Sequence, residues 1–202
     1  MVLAWACALI LFGCLPGASP PYVVDRYVLD YAPPPGKGER LDQALGIARF
    51  SVAQTYNGTA MIYKDNPYRT AALVYQAWGT NPGDMVTDCL LRDFRASGLF
   101  RAVFSFRSPE RPRFMVEGGI EEFVESREAG KGLAVLALEV ALLDNSAMDV
   151  PRSVLFQKQY RTEEPCLDRS AEACARAMSR AMESLSARII ADVHTAVQKA
   201  AQ

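Results

Sequence analysis

The run Leu133 to Leu143 is apolar apart from Glu139, and it limits more than any other segment what this chain can become. It is far short of the ~20 apolar residues that a membrane-spanning helix needs. Its flanking turn residues and unbroken apolar content read as a central strand. If Leu136, Leu138, Val140 and Leu142 face a layer of helices, then Leu133, Val135 and Ala137 face away from it, where a solvated sheet carries polar side chains. That second face is expected to be covered, either by another subunit, a partner protein or an acyl chain, or by the chain's own N-terminal segment.

The helices that such a strand requires are legible. Asn81-Pro82 opens one, with Asn81 as cap, Pro82 at the first helical position and Asp84 in the positive first turn. Met85, Val86, Cys89, Leu90 and Phe94 then form one apolar stripe, and Gly98 ends the helix. The last element begins at Asp168 or Ser170 and runs toward Gln198, with Cys174, Met178, Met182, Leu185, Ile189, Val193 and Ala196 on one face. Strands are expected at Val23–Tyr31, Ile47–Val52, Ala60–Lys64, Ala71–Ala77, Phe100–Phe106, Arg113–Glu125 and Ser153–Arg161. Gly118-Gly119 signals a bulge or a close backbone approach. The fold class that follows is α+β, a mostly antiparallel β-sheet with two main α-helices packed on one face.

Ahead of this body, Val2 to Phe12 is an uncharged apolar run that closes on Leu11-Phe12-Gly13-Cys14. Its length fits the 7–15-residue core of a secretory signal. The small residue before the cysteine resembles a bacterial lipoprotein signal, which implies that residues 1–13 are removed and that Cys14 carries lipid on sulfur and on its new amino group. The alternative is an ordinary signal peptide or a buried strand in which Cys14 is incidental. Leu15 to Pro21 is rich in Pro, Gly, Ala and Ser, so residues 14–21 read as an acylated cysteine and tether, whose reach is at most ~25 Å. Residues 22–202 remain for a single domain.

With 22 basic and 23 acidic residues, the chain offers no electrostatic footprint for nucleic acid. Of its cysteines, Cys89, Cys166 and Cys174 fall in the body. In an oxidising compartment Cys166 and Cys174 could pair across a short loop. Alternatively they stay free, Cys174 as a small hydrophobe on the helix stripe. No C-x-x-C pair exists and the sole histidine is distant from the cysteines, which disfavours zinc. No cofactor motif stands out: Gly36-Lys37-Gly38 superficially resembles a phosphate loop, but the upstream glycine and the following Ser or Thr are missing.

Catalysis is not expected either. His194 lies near the end of the last helix, where a cation complements the helix dipole. Glu121-Glu122 and Glu163-Glu164 are neighbours on strands, so each pair should point to opposite faces. A hydrolase using carboxylates far apart in sequence is the competing enzymatic reading, and it requires a polar cleft.

Several fragments occur in a telling order. Arg49-Phe50-Ser51-Val52-Ala53 and Tyr56 precede Met61-Ile62-Tyr63-Lys64; then come Tyr75-Gln76-Ala77-Trp78 with Pro82, Leu90-Leu91 and Ser97-Gly98-Leu99-Phe100. In this order the chain resembles the ABC-type transport auxiliary lipoproteins, the paraquat-inducible protein C-like family, from Tyr27-Val28-Leu29 to the Ala-rich terminal helix. The resemblance implies a non-catalytic component that works beside an ABC permease and ATPase and a mammalian-cell-entry (MCE) protein, moving phospholipid between the inner and outer membranes. It also implies assembly into a homo-oligomer. Leu15 after the cysteine implies residence in the outer membrane facing the periplasm, since aspartate there favours inner-membrane retention in enterobacteria. Tyr56, Tyr63, Tyr75 and Trp78 are read as core and edge aromatics. A structural or assembly lipoprotein of the outer membrane, unrelated to transport, is the alternative.

Overall fold

The computed structural model describes residues 22–130, 132–146 and 153–202. Cys14, its tether and the signal segment lie outside the described residues. Nine strands make one sheet whose spine is β7 (Phe114–Ser126). The strand β8 (Leu133–Asp144) runs antiparallel along the whole of β7, and β9 (Val154–Pro165) runs antiparallel to β8. On the other edge of β7, β2 (Leu41–Ile47), β3 (Ser51–Val52) and β4 (Ala60–Asn66) dock one after another, all parallel to it. The sheet continues from β2 to β6 (Phe100–Ser105), and from β4 through β5 (Arg69–Trp78) to β1 (Asp25–Tyr27). The long ladders are antiparallel, as expected, while short parallel ladders join them.

Two helices, α1 (Pro82–Ala96) and α2 (Ala171–Ala200), pack on this sheet and on each other. Their starts follow from sequence chemistry: the Asn81 side chain accepts from Gly83 N at 2.8 Å and Ser170 Oγ accepts from Ala173 N at 3.1 Å, so each cap satisfies an otherwise orphaned amide. After α1, Gly98 takes φ +67°, a left-handed turn that glycine adopts without strain. At the far end of α2, Arg113 bridges the Asp144 carboxylate at 2.7 Å and the Ala200 carbonyl at 3.0 Å, tying the helix to the sheet.

The core lies between the sheet and the helices. Leu136, Leu138, Val140 and Leu142 face α2 as expected and join Phe123, Trp78, Met178, Leu185 and Ile189. The other face of β8 is covered differently from either expectation. Val135 and Ala137 are 1% and 4% exposed within the chain itself, because Glu122, Arg161 and Glu163 stand opposite them on β7 and β9. These side chains, with Lys64, close over the small apolar groups as ion pairs of 2.6–3.3 Å. A subunit or lipid is not needed to explain that apolar strand face.

Two strand boundaries also differ. The expected strand Val23–Tyr31 stops at Tyr27, after which the backbone is captured by the helices: Asp30 N donates to Ser179 Oγ at 3.0 Å. The expected strand Ile47–Val52 is not formed as one element: Ile47 ends β2, whose residues 41–46 were not expected as strand, and only Ser51–Val52 pairs again as β3, because Phe50 turns into the core and its amide donates to Thr87 Oγ1 of α1 at 3.0 Å. The Gly118-Gly119 signal holds. A Cβ on Gly118 would sit 2.2 Å from the Glu139 carbonyl oxygen, and the ladder shifts register between Ile120 and Glu122.

Candidate functional site

Residues 28–40 cross the helices as a strap, and the strap builds one wall of a groove. Pro34 and Pro35 have no amide to donate, so this stretch cannot join the sheet. Gly36 lets it lie against Ser97, where a Cβ would fall 2.2 Å from the carbonyl oxygen. Leu41 N then donates to Leu99 O at 2.8 Å, returning the chain to β2. Between strap and α2 is a groove of about 330 Å³ lined by the apolar Pro34, Leu99, Ala187, Ile190 and Ala191 and by the cations Lys37 and Arg188. That volume falls within the range of roughly 300–1,000 Å³ that small-molecule sites occupy. A mostly apolar lining that includes two cations suits an alkyl chain attached to an anionic head, since the chain leaves water and the head keeps a counter-charge.

Beneath the strap lies a polar knot. Asp93 of α1 is fully buried and accepts from Tyr31 Oη at 2.6 Å, Ser186 Oγ at 2.6 Å and Arg92 Nε at 2.8 Å. The Arg92 guanidinium lies 4.3 Å from the centre of the Tyr31 ring. Burial, with the neighbouring Cys89 and Asp93, drives the Tyr31 phenol far above its ordinary range. Burial likewise pushes the Cys89 thiol up to about 11, leaving it an unreactive neutral group. The knot thus clamps strap, α1 and α2 together. It was not anticipated, although the sequence held a signal: Asp93 and Ser186 directly adjoin the apolar stripes of their helices.

On the opposite flank of α2, Asp192 accepts from Lys158 at 2.5 Å and from Tyr160 at 2.7 Å. Burial opposes its ionisation, but these two hydrogen bonds win and lower its pKa. The recess beside it, between α2 and β9, is more polar and is lined by Phe156, Thr195 and Lys199.

The residues weighed for catalysis are dispersed. His194 is buried six residues before the end of α2, so it does not cap the dipole as expected. Its Nε2 lies 2.8 Å from the Glu39 carbonyl and its ring packs edge-on against Phe100. Gly38, at φ +135°, leaves room for that ring. Glu121 and Glu122 share the outer sheet face, contrary to expectation, because the bulge after Ile120 inserts one residue and resets the alternation. Glu121 accepts from Gln159 and Glu122 from Lys64 and Arg161. Although burial pushes the Glu122 pKa up, the bonds from Arg161 and Lys64 lower it, which keeps it ionised and unsuited to donate a proton. Glu163 and Glu164 do diverge, toward Arg161 and Arg180.

Trp78 is buried against Phe123 with ring centres 5.0 Å apart, Tyr63 stacks under Arg127, and Tyr75 is an exposed edge residue. Cys166, one residue past β9, and Cys174, in the first turns of α2, are free thiols that interact with each other. That contact lowers the pKa of Cys166 and raises that of Cys174. Among the described residues no group of three or more His, Cys, Asp or Glu is gathered for a metal, and no helix is long and apolar enough to cross a membrane.

The body is thus a sheet with two helices on one face and a groove of mixed apolar and cationic lining. Residues 27–190 match the model of the ABC-type transport auxiliary lipoprotein component, and the chain belongs to that family. This is a family of auxiliary transport components, and as lipoproteins they place the chain in the cell envelope in association with an ABC transport system. Its fold is shared with a crystallised protein from Xanthomonas campestris, at 17% identity over 89% of this chain and 99% of that one, with a TM-score of 0.80. An uncharacterized protein of known structure gives 10% identity over 85% and 99% of the two chains and a TM-score of 0.64. A hypothetical protein from Chlamydia trachomatis gives 12% identity over 78% and 98%, with a TM-score of 0.52. No curated protein shows significant similarity to the chain.

Proposed function

We propose that this protein is a non-catalytic, periplasm-facing lipoprotein that serves an ABC permease and ATPase together with an MCE-domain protein, in a system that moves phospholipid between the inner and outer membranes. The observation that carries the reading is the family match, which spans the strap, α1, α2 as far as Ile190 and nearly all of the sheet. In this reading Cys14 bears the lipid anchor, Leu15 directs it to the outer membrane, and Cys166 and Cys174 form a disulfide in the oxidising periplasm. Self-association as a homo-oligomer belongs to the same reading.

The groove is the part of the molecule suited to lipid, with Lys37 and Arg188 in a mostly apolar lining. Ala187 is exposed on its wall, so Ala187→Trp fills the recess while sparing the core. Purified in mild detergent from native membranes, the parent protein is expected to retain phospholipid. The variant should retain at least threefold less at an unchanged melting temperature. Equal phospholipid in both proteins would remove the groove from the account.

A further inference from the structure

The strand order gathers one end of the molecule. The β4–β5 turn, the C-terminal end of β7, the start of β8, the end of β9 and the start of α2 all meet there. Tyr68 at the turn is 98% exposed, and Leu167 between β9 and α2 is 86% exposed, the two most exposed large apolar side chains among the described residues. Isolated exposed apolar residues are ordinary; two on one end, at the tips of separate loops, ask for a reason. The turn is held in shape, since Tyr68 N donates to the Asn66 side chain at 3.0 Å. Each tip also carries one acid and one base, Asp65 with Arg69 and Asp168 with Arg169, so this end has little net charge from them.

The first described residues head toward the same end. The strand β1 is parallel to β5, with Asp25 opposite Gln76, so proceeding from Asp25 toward the N-terminus means moving along β5 toward Arg69 and the turn. Tyr22 confirms the direction, with its ring 6.0 Å from that of Tyr75. At about 3.3 Å per residue the turn lies some 15–20 Å beyond this point. The seven residues Leu15 to Pro21 reach at most ~25 Å, which is long enough for Cys14 to extend to the level of the tips.

We propose that this end is a membrane-contact surface, with Tyr68 and Leu167 entering the headgroup layer of the bilayer that holds the anchor. The inference rests on the proposed acylation of Cys14 for its tether. Tyrosine suits the site because its ring is apolar and its hydroxyl stays wet, as in the aromatic belts of membrane proteins. The balance of charge at the tips makes apolar burial the source of the contact, so raising the salt concentration should not release it. The groove wall at Ala187 lies 16 residues along α2 from Ala171, about 24 Å at 1.5 Å per residue. The surface therefore holds the groove off the bilayer, facing the aqueous compartment.

The test uses the full-length protein reconstituted into phosphatidylcholine vesicles whose acyl chains are brominated near the headgroup. Tryptophan emission is compared between Tyr68→Trp and Val154→Trp at the opposite end of the sheet, with the parent protein as background, and intact mass reports on Cys14. Tyr68→Trp is expected to lose at least half its added emission in brominated vesicles while Val154→Trp loses less than a tenth, in low and high salt alike. Equal quenching of the two in a preparation whose Cys14 is acylated would overturn the surface while leaving the anchor intact. Quenching of Tyr68→Trp without acylation would keep the surface and overturn the anchor, and neither signal would overturn both. Shielding of Tyr68→Trp from lipid by a second copy, seen as a doubled mass, would also overturn the proposal.

Discussion

Asp93→Ala is expected to cost about 3–5 kcal/mol of folding free energy, the range for removing one partner of a buried ion pair. Three donors converge on that carboxylate, from Tyr31, Arg92 and Ser186, and alanine would leave the buried Ser186 hydroxyl without its acceptor and the half-buried Tyr31 and Arg92 without theirs. For a domain of this size the melting temperature should fall by roughly 10 °C. Asp93→Asn should lose about half as much, because the amide oxygen still accepts from a hydroxyl although the pairing with Arg92 is gone. Thermal unfolding of the two variants beside Ser186→Ala checks the claim; a loss below about 1 kcal/mol for Asp93→Ala would contradict it. The effect should extend to function. The knot holds the strap that forms one wall of the groove, so a folded Asp93→Asn protein should also retain less phospholipid than the parent.

The second large effect concerns the Cys166–Cys174 pair. A disulfide closing so short a loop contributes on the order of 2–3 kcal/mol, and here it would join the end of β9 to the start of α2. Protein isolated without reductant should resist alkylation at both cysteines, and dithiothreitol should lower its melting temperature by several degrees. In Cys166→Ser the reductant should have no effect, which separates the disulfide from any packing cost of the substitution. Ready alkylation of both thiols in the unreduced protein would dismiss the pairing.

The elements set by local chemistry were plain in the sequence. Asn81-Pro82 and Ser170 announced their helices, the stripe from Cys174 to Val193 gave α2 its buried face, and the apolar run from Leu133 gave β8 its central place. What escaped depends on groups far apart in the chain. The break between β2 and β3 arises because Thr87 captures the Phe50 amide, a contact that strand propensity around Ile47–Val52 does not encode. The covering of Val135 and Ala137 depends on ion pairs from three other strands. The bulge that sets Glu121 and Glu122 on one face was signalled only by the glycines before it.

The groove escaped for the same reason. The prolines of the strap were legible as the end of a strand, yet nothing local shows that they return across α2 to face Ala187 and Ile190. The exposed Ala187 and Ala191, four residues apart on a helix otherwise polar outside, were the available sign. The family likeness was legible because its fragments are strung along the whole body, independently of how they meet in space.

The central claim is that this chain is an accessory lipoprotein of a lipid-moving ABC system. Its most direct test is purification of the tagged full-length protein from native membranes in mild detergent, with intact mass, copurifying proteins and extracted lipids read together by mass spectrometry. The account predicts an acylated Cys14, the permease and ATPase with an MCE-domain protein, and bound phospholipid. An unacylated chain that brings down only envelope-assembly proteins and no phospholipid would contradict it.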